Sequence, residues 1–173
     1  MKEMKEKPQA TEPVLESLEE NPDMKREIAN TYPDQECLFC GKRNPIGLKL
    51  RFYMDEETEE VSTEYLPAKP FAGLGNILHG GIQTGLFDEI MGWTAHSLTG
   101  EMGVTSELNV KLLKPVYLGR RIKVFCRLIS RNGPRVHLDA KIEISDGTVC
   151  SEATGTYYLL PQDRFNKLIY GKE

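Results

Sequence analysis

The stretch that decides the fold is residues 79–98, which read HGGIQTGLFDEIMGWTAHSL. Apolar residues recur nearly all round this segment, which predicts one long, mostly buried helix. Gly81, Gly85, Gly92 and Ala95 share one helical face. Each interior glycine costs about 0.5–1 kcal/mol relative to alanine. A stripe of small residues therefore indicates that a backbone or a ligand approaches this face closely.

Strand-like segments lie on both sides of this helix in the chain. Two precede it, at 48–55 and 61–66, and four follow, at 104–113, 121–130, 135–145 and 149–160. Asn132-Gly133 and Asp146-Gly147 are hairpin signals between the last three. This order predicts an α+β domain in which the helix packs on one face of an antiparallel sheet of about five to six strands.

The first 36 residues differ in charge from the rest of the chain. They hold 5 basic and 10 acidic residues, a net charge of −5, whereas residues 37–173 hold 17 and 16, a net charge of +1. We expect residues 1–13 to be disordered. Two short helices are predicted within residues 14–30, with a break at Asn21-Pro22.

A basic stripe follows the long helix, because residues 108–138 contain eight basic residues and no acidic one. Such a stripe attracts anions, but charge alone leaves nucleic acid, a phosphorylated ligand and an acidic partner open. No helix-turn-helix or RNA-recognition motif accompanies it, which argues against nucleic acid.

The sequence offers no sign of a membrane or export segment. The longest stretch without a charged residue, 70–87, contains five glycines and a histidine. The N-terminus lacks the apolar core of a signal peptide. We therefore expect a cytoplasmic protein that does not bind a membrane.

Cys37 and Cys40 form a CxxC motif followed by Gly41, the shape of half a zinc knuckle. A tetrahedral structural zinc site normally takes its four ligands from two such pairs, and Cys126 and Cys150 stand singly in predicted strands. Redox use is also disfavoured, because no βαβ pattern surrounds the motif. The sequence favours a tight turn with two small buried side chains and no metal.

Asp88 lies on the glycine-bearing face of the helix. A carboxylate there is costly if it is buried and unpaired. Two interpretations carry similar weight: Asp88 is functional, or it is a satisfied structural group that points to solvent together with Glu89.

The start of the same helix has the features of an oxyanion site. Gly80 and Gly81 leave their backbone N–H groups unobstructed at the positive end of the helix dipole. A base two turns further along, such as Asp88, would activate water against an electrophile held there. His79 either orients this turn or only caps it.

These residues carry a resemblance to a known family. Residues 79–88 resemble the HGG-x4-L-x-D motif of the hotdog-fold acyl-CoA thioesterases of the phenylacetate-degradation (PaaI-like) type. The likeness extends over residues 37–160, including CLFCG at 37–41, NPIGL at 44–48 and Gly103-Val104-Thr105 with Asn109 and Pro115. It divides the chain into an acidic leader (1–36), a hotdog thioesterase domain (37–160) and a C-terminal tail (161–173).

The resemblance implies a fold, an assembly and a reaction. In such enzymes an antiparallel sheet wraps a long central helix, and active sites lie at the interface of a homodimer or dimer of dimers. They hydrolyse an acyl-CoA thioester to a carboxylic acid and free coenzyme A. No cofactor or metal is expected, because the thioester is already activated.

The resemblance also assigns roles to residues. The N–H of Gly80 would polarise the thioester carbonyl, and Asp88 would act as general base or nucleophile. Thr105 would help to hold the water, with Ser106 as the rival assignment. Some members place an asparagine six residues before the histidine, where this chain has Gly73; Asn76 is the candidate for that contact.

A coenzyme A substrate gives the basic stripe a candidate ligand, because it carries three phosphates. The predicted substrate contacts are Arg131 and Arg135 first, then Lys114, Arg120 and Arg121, with Gly81 at the helix start. For any single one, the alternative is that it discourages pairing at a strand edge. The acyl pocket has four candidates: Phe71, Leu74, Met91 and Trp93.

Two other functions remain to be weighed. One is a non-catalytic module that binds or senses acyl-CoA on the same fold. The other is a hotdog hydratase, suggested by Arg43-Asn44-Pro45-Ile46, but Gly47 stands where that family needs a histidine.

Overall fold

The computed structural model describes residues 26–32 and 35–171. Helix α1 spans Gly80–Thr99 and helix α2 spans Gln162–Tyr170. The described residues form one seven-stranded sheet: β1 (Arg26–Glu27), β2 (Tyr53–Asp55), β3 (Glu60–Tyr65), β4 (Met102–Leu112), β5 (Ile122–Asn132), β6 (Arg135–Ile144) and β7 (Val149–Leu160). Every neighbouring pair is antiparallel, in the order β1-β2-β3-β5-β6-β7-β4.

Helix α1 is central, because it contacts every strand from β3 to β7. Its core-facing side chains Leu86, Phe87 and Ile90 are fully buried. The inward residues of β5 and β6, such as Val124 and Ile142, are buried opposite them. The predicted hotdog fold, with an antiparallel sheet around a long helix, is confirmed.

Both ends of α1 are capped. His79 Nδ1 accepts a hydrogen bond of 2.8 Å from the N–H of Gly81, and Gly100 ends the helix at φ 71°, in the left-handed region. The buried Gln83 donates to the Leu78 carbonyl and accepts from Ser151 on β7. These contacts fix the start of the helix against the sheet.

The cysteine segment, residues 35–50, explains part of the glycine stripe. A Cβ on Gly85 would lie 2.0 Å from Cζ of Phe39, so the ring of this segment occupies the space that a larger helix residue would need. The close approach predicted for this face is therefore confirmed at Gly85, where the neighbour is an aromatic side chain. At Gly92 a Cβ would meet Tyr157 at an ordinary 3.5 Å.

This difference makes a matched pair of predictions. Gly85→Ala should lower the free energy of unfolding by about 1–3 kcal/mol, because the Phe39 ring must move. Gly92→Ala should leave it unchanged or raise it slightly, because it gains helix propensity without a clash. Urea unfolding of both variants measures this, and an equal loss at the two positions would contradict the packing described.

Three segments depart from the prediction. Only Tyr53–Asp55 of the strand predicted at 48–55 forms, and Lys49 has a positive φ of 57° that interrupts extended backbone. Residues 26–27, predicted to be helical, form strand β1 on the free edge of β2, because sheet pairing overrides weak local propensity. The tail, for which no element was predicted, contains α2.

The remaining N-terminal predictions, disorder over 1–13 and helices up to residue 25, lie outside the described residues. Within the described ranges, neither helix is long and apolar enough to cross a membrane.

Candidate functional site

Asp88 is exposed on the single chain and is held by two hydroxyl groups. Its Oδ1 accepts hydrogen bonds from Thr105 Oγ1 at 2.5 Å and from the Tyr157 hydroxyl at 2.9 Å. The same hydroxyl also lies within hydrogen-bond distance of the backbone carbonyl of Asp88, so its single proton is shared between two acceptors. Oδ2 has no hydrogen-bond partner among residues 26–32 and 35–171, so one carboxylate oxygen is oriented and the other is free to receive a proton.

Tyr157 was not predicted as a site residue. It is buried on β7, and burial together with the nearby Asp88 carboxylate raises its pKa above the ordinary value. The hydroxyl therefore keeps its proton and acts as a donor. The available signal was a tyrosine on the inward face of a strand, since a buried hydroxyl needs a partner.

Thr105, and not Ser106, contacts Asp88. The pairing of β4 with β7 is irregular between Thr105 and Glu107, which leaves Ser106 as the extra residue. The Ser106 hydroxyl donates to the Thr156 carbonyl at 2.9 Å instead.

The two glycines at the start of α1 differ from one another. The N–H of Gly80 has no hydrogen-bond partner in the described part of the chain, as an oxyanion donor requires. The N–H of Gly81 is occupied by His79 Nδ1. The prediction that both groups are unobstructed is therefore wrong for Gly81, because His79 caps the helix through it.

Gly80 and Asp88 lie far apart within one chain. Eight helical residues separate them by about 12 Å at 1.5 Å per residue. A general base reaches its proton directly or through one water, at about 2.6–3.2 Å for each hydrogen bond. This separation favours a base and an oxyanion donor that come from different copies of the chain over a base that acts two turns along its own helix.

Asp88 lines a cavity of about 480 Å³. The cavity is also lined by residues of α1, β4, β7, α2 and the cysteine segment: Cys37, Cys40, Glu89, Trp93, Thr105, Tyr157, Phe165 and Tyr170 among them. Helix α2 closes one side.

Of the predicted acyl-pocket residues, only Trp93 lines this cavity. Met91 is fully buried in the core, and Leu74 is 86% exposed. Phe71 bonds to His79 through its backbone carbonyl. Asn76 lines a separate groove beside Leu118, whose N–H bonds to the Asn76 carbonyl at 3.1 Å.

The five predicted phosphate contacts fall into two groups at opposite ends of β4. Arg131 and Arg135 flank the β5–β6 hairpin, and Arg131 pairs at 2.5 Å with Glu101, next to the start of β4. Lys114 follows the other end of β4, and Arg120 lies over the Tyr117 ring. Arg121 pairs with Glu64 at 3.4 Å.

Glu89, next to Asp88 in the chain, contacts a different set of residues. Its Oε1 accepts from Trp93 Nε1 at 2.9 Å, and its Oε2 lies 3.4 Å from Cys37 Sγ. Burial raises the pKa of Glu89 to about 7. The interpretation in which Glu89 points freely to solvent is wrong.

Comparison with known proteins identifies the family. Residues 75–151 match the family model described as the thioesterase superfamily. This region belongs to the thioesterase superfamily. The resemblance found in the sequence is thereby confirmed, although a search of curated proteins found no match.

Solved structures show the same fold at low identity. A thioesterase superfamily protein is 21% identical over 71% of this chain and 63% of its own, with a TM-score of 0.65. This chain therefore spans less than two thirds of that protein. The PaaI protein of the E. coli phenylacetic acid degradation operon is 16% identical over 66% of this chain and 81% of its own, with a TM-score of 0.61. A hypothetical thioesterase of Streptococcus pneumoniae TIGR4 with coenzyme A is 23% identical over 60% of this chain and 82% of its own, with a TM-score of 0.57.

Proposed function

We propose that this protein is an acyl-CoA thioesterase of the cytoplasm, with its active site formed by two copies of the chain. The observation that carries the proposal is the Asp88 carboxylate, oriented by Thr105 and Tyr157 beside a cavity, in a domain of the thioesterase superfamily. The coenzyme A in the structurally similar Streptococcus pneumoniae protein supports the substrate class.

The edge strand β4 supplies the geometry for a shared site. It is eleven residues long and pairs only with β7 among the described strands, whereas the opposite edge strand, β1, has two residues. Leu112 and Leu113 at its end are 53% and 52% exposed. A long edge with exposed apolar side chains is suited to pairing with another strand.

Antiparallel pairing of two β4 strands about Asn109, with Ser106 as the extra residue just as it is in the pairing with β7, brings the two halves of the site together. Thr105, which contacts Asp88, then lies opposite the partner's Leu112. Within one chain, Leu112 Cδ1 is 3.0 Å from the position of a Cβ on Gly80. The Asp88 of one copy therefore approaches the Gly80 N–H of the other, which resolves the separation of about 12 Å within a chain.

The same pairing gathers the two groups of basic residues. Lys114 and Arg120 lie at one end of β4, and Arg131 and Arg135 lie at the other. Opposite ends meet in an antiparallel pair, so both groups flank one composite site, as the phosphates of coenzyme A require.

The reaction follows from this arrangement. The thioester carbonyl accepts a hydrogen bond from Gly80 N–H, while Oδ2 of the other copy's Asp88 takes a proton from water. The hydroxide attacks the carbonyl carbon, the C–S bond breaks, and the proton passes to the departing thiolate. Direct attack by the carboxylate, through a mixed anhydride that water then hydrolyses, uses the same positions.

A thiol-release assay over short, long and aromatic acyl-CoAs tests the function. We expect saturable release of free coenzyme A with at least one of them. Binding of acyl-CoA without turnover would instead select the non-catalytic binding module, and neither binding nor turnover would reject both.

Tyr157→Phe is expected to lower kcat by about 10- to 100-fold with little change in KM, because Asp88 loses a hydrogen bond worth about 1.5–3 kcal/mol. The ring keeps its packing, so the variant should remain folded, with a thermal midpoint that falls by about 3–12 °C for the lost hydrogen bond. Tyr158→Phe on the same strand is the matched control and should retain full activity. An unchanged kcat in Tyr157→Phe would show that Tyr157 does not position the Asp88 carboxylate for catalysis.

A further inference from the structure

The cysteine segment brings three metal-binding groups together beside the Asp88 cavity. One ligand atom each from Cys37, Cys40 and Glu89 lies within 4.8 Å of the others. Two ligands of a tetrahedral zinc ion, at bond lengths of about 2.0–2.3 Å, stand about 3.3–3.8 Å apart. Small side-chain adjustments therefore suffice for these three atoms to share one ion.

The turn that carries the cysteines has the shape of a metal-binding knuckle. The N–H of Gly41 donates to the Cys37 carbonyl at 3.0 Å, and the N–H of Phe39 lies 3.4 Å from Cys37 Sγ. A Cβ on Gly41 would lie 2.4 Å from the Gln35 carbonyl oxygen, so only glycine fits. An N–H aimed at the sulfur stabilises the thiolate form that a metal binds.

Helix α1 fixes the third group against this knuckle. Phe39, between the cysteines, packs into the space at Gly85, one helical turn before Glu89. The Trp93 indole N–H holds Oε1 of Glu89, which leaves Oε2 toward the sulfurs. Such a partner for a ligating carboxylate is a regular feature of metal sites.

The charges also favour a cation. Glu89 forms no ion pair with a lysine or arginine anywhere in the described ranges, although its carboxylate is largely buried. A buried carboxylate without a counter-charge is costly, and a divalent ion would remove that cost. Two sulfurs with one carboxylate suit Zn²⁺ better than Mg²⁺ or Ca²⁺, which prefer oxygen ligands.

We propose that Cys37, Cys40 and Glu89 bind one Zn²⁺ ion, with a water of the cavity as the fourth ligand. The ion ties the cysteine segment to α1, and the two cysteines release their thiol protons to water on binding. This departs from the expectation of no metal, which rested on the absence of a second cysteine pair. The proposal is independent of the thioesterase activity.

Co²⁺ titration of the metal-free, full-length protein with reduced thiols tests the site. We expect one Co²⁺ per chain, with sulfur-to-cobalt absorption that Zn²⁺ abolishes. Cys37→Ser with Cys40→Ser should remove this absorption, and Glu89→Gln should weaken Zn²⁺ binding at least tenfold. The matched control, Cys126→Ala with Cys150→Ala, should bind as the wild type does.

Three results would overturn the site: no Co²⁺ binding by the reduced wild type, unchanged binding in the Cys37/Cys40 variant, or unchanged affinity in Glu89→Gln. Circular dichroism establishes that each variant is folded. If the double cysteine variant does not fold, Glu89→Gln decides alone, because it keeps the size of the side chain. None of these readouts depends on turnover, so failure here leaves the thioesterase proposal standing.

Discussion

Asp88→Asn is expected to lower kcat by about 10²–10⁴-fold, the range attributed to a positioned general base. The amide keeps an oxygen that accepts from Thr105 and Tyr157, so the local geometry survives. What it loses is the ability to take a proton from water or to attack the carbonyl. Substrate binding should be retained, so that KM changes much less than kcat.

Steady-state thiol release with the best acyl-CoA measures this loss. Asp163→Asn is the matched control, because Asp163 is exposed on α2 and is not among the residues that line the cavity. It should keep the wild-type rate. If Asp88→Asn retained more than about a tenth of the wild-type kcat, Asp88 would be neither the general base nor the nucleophile.

Gly80→Val is expected to lower kcat/KM by about 10²–10³-fold, the loss typical of a missing oxyanion donor. The N–H remains, but the branched side chain stands where the thioester carbonyl must approach. A Cβ at this position already lies 3.0 Å from Leu112 Cδ1, so the side chain has little room to turn away.

Gly80→Ala provides the graded comparison and should lose less activity than Gly80→Val. Helix propensity changes by less than about 1 kcal/mol in either variant, and thermal unfolding should show both folded. Wild-type activity in both variants would show that the thioester carbonyl does not bind at the Gly80 N–H.

The long helix and the last three strands were predictable because their patterns are local. The alternation of Val136, Leu138, Ala140 and Ile142 is visible in the sequence, and these residues are buried in β6. The Asn132-Gly133 hairpin needs a positive φ, and Gly133 has one of 57°. Each of these signals depends on a few neighbouring residues.

Contacts between distant residues were not predictable in the same way. Tyr157 meets Asp88 across 69 positions, and Cys37 meets Glu89 across 52. No local pattern encodes such a pair, because it depends on how the sheet and the cysteine segment wrap α1. The distance between Gly80 and Asp88, by contrast, follows from the length of the helix between them. That distance favours an active site shared by two copies over one within a single chain.

The central claim is that one active site takes Gly80 from one copy and Asp88 from another. Its most direct test is a mixed dimer of Asp88→Asn and Gly80→Val chains, co-expressed with different tags and isolated through both. Each parent alone should be nearly inactive. In the mixed dimer, one of the two sites receives an intact Gly80 and an intact Asp88.

We therefore predict that thiol release by the isolated mixed dimer recovers to about half the wild-type rate, since one of its two sites is whole. A mixed dimer as inactive as both parents would contradict the shared site, as would an active monomer.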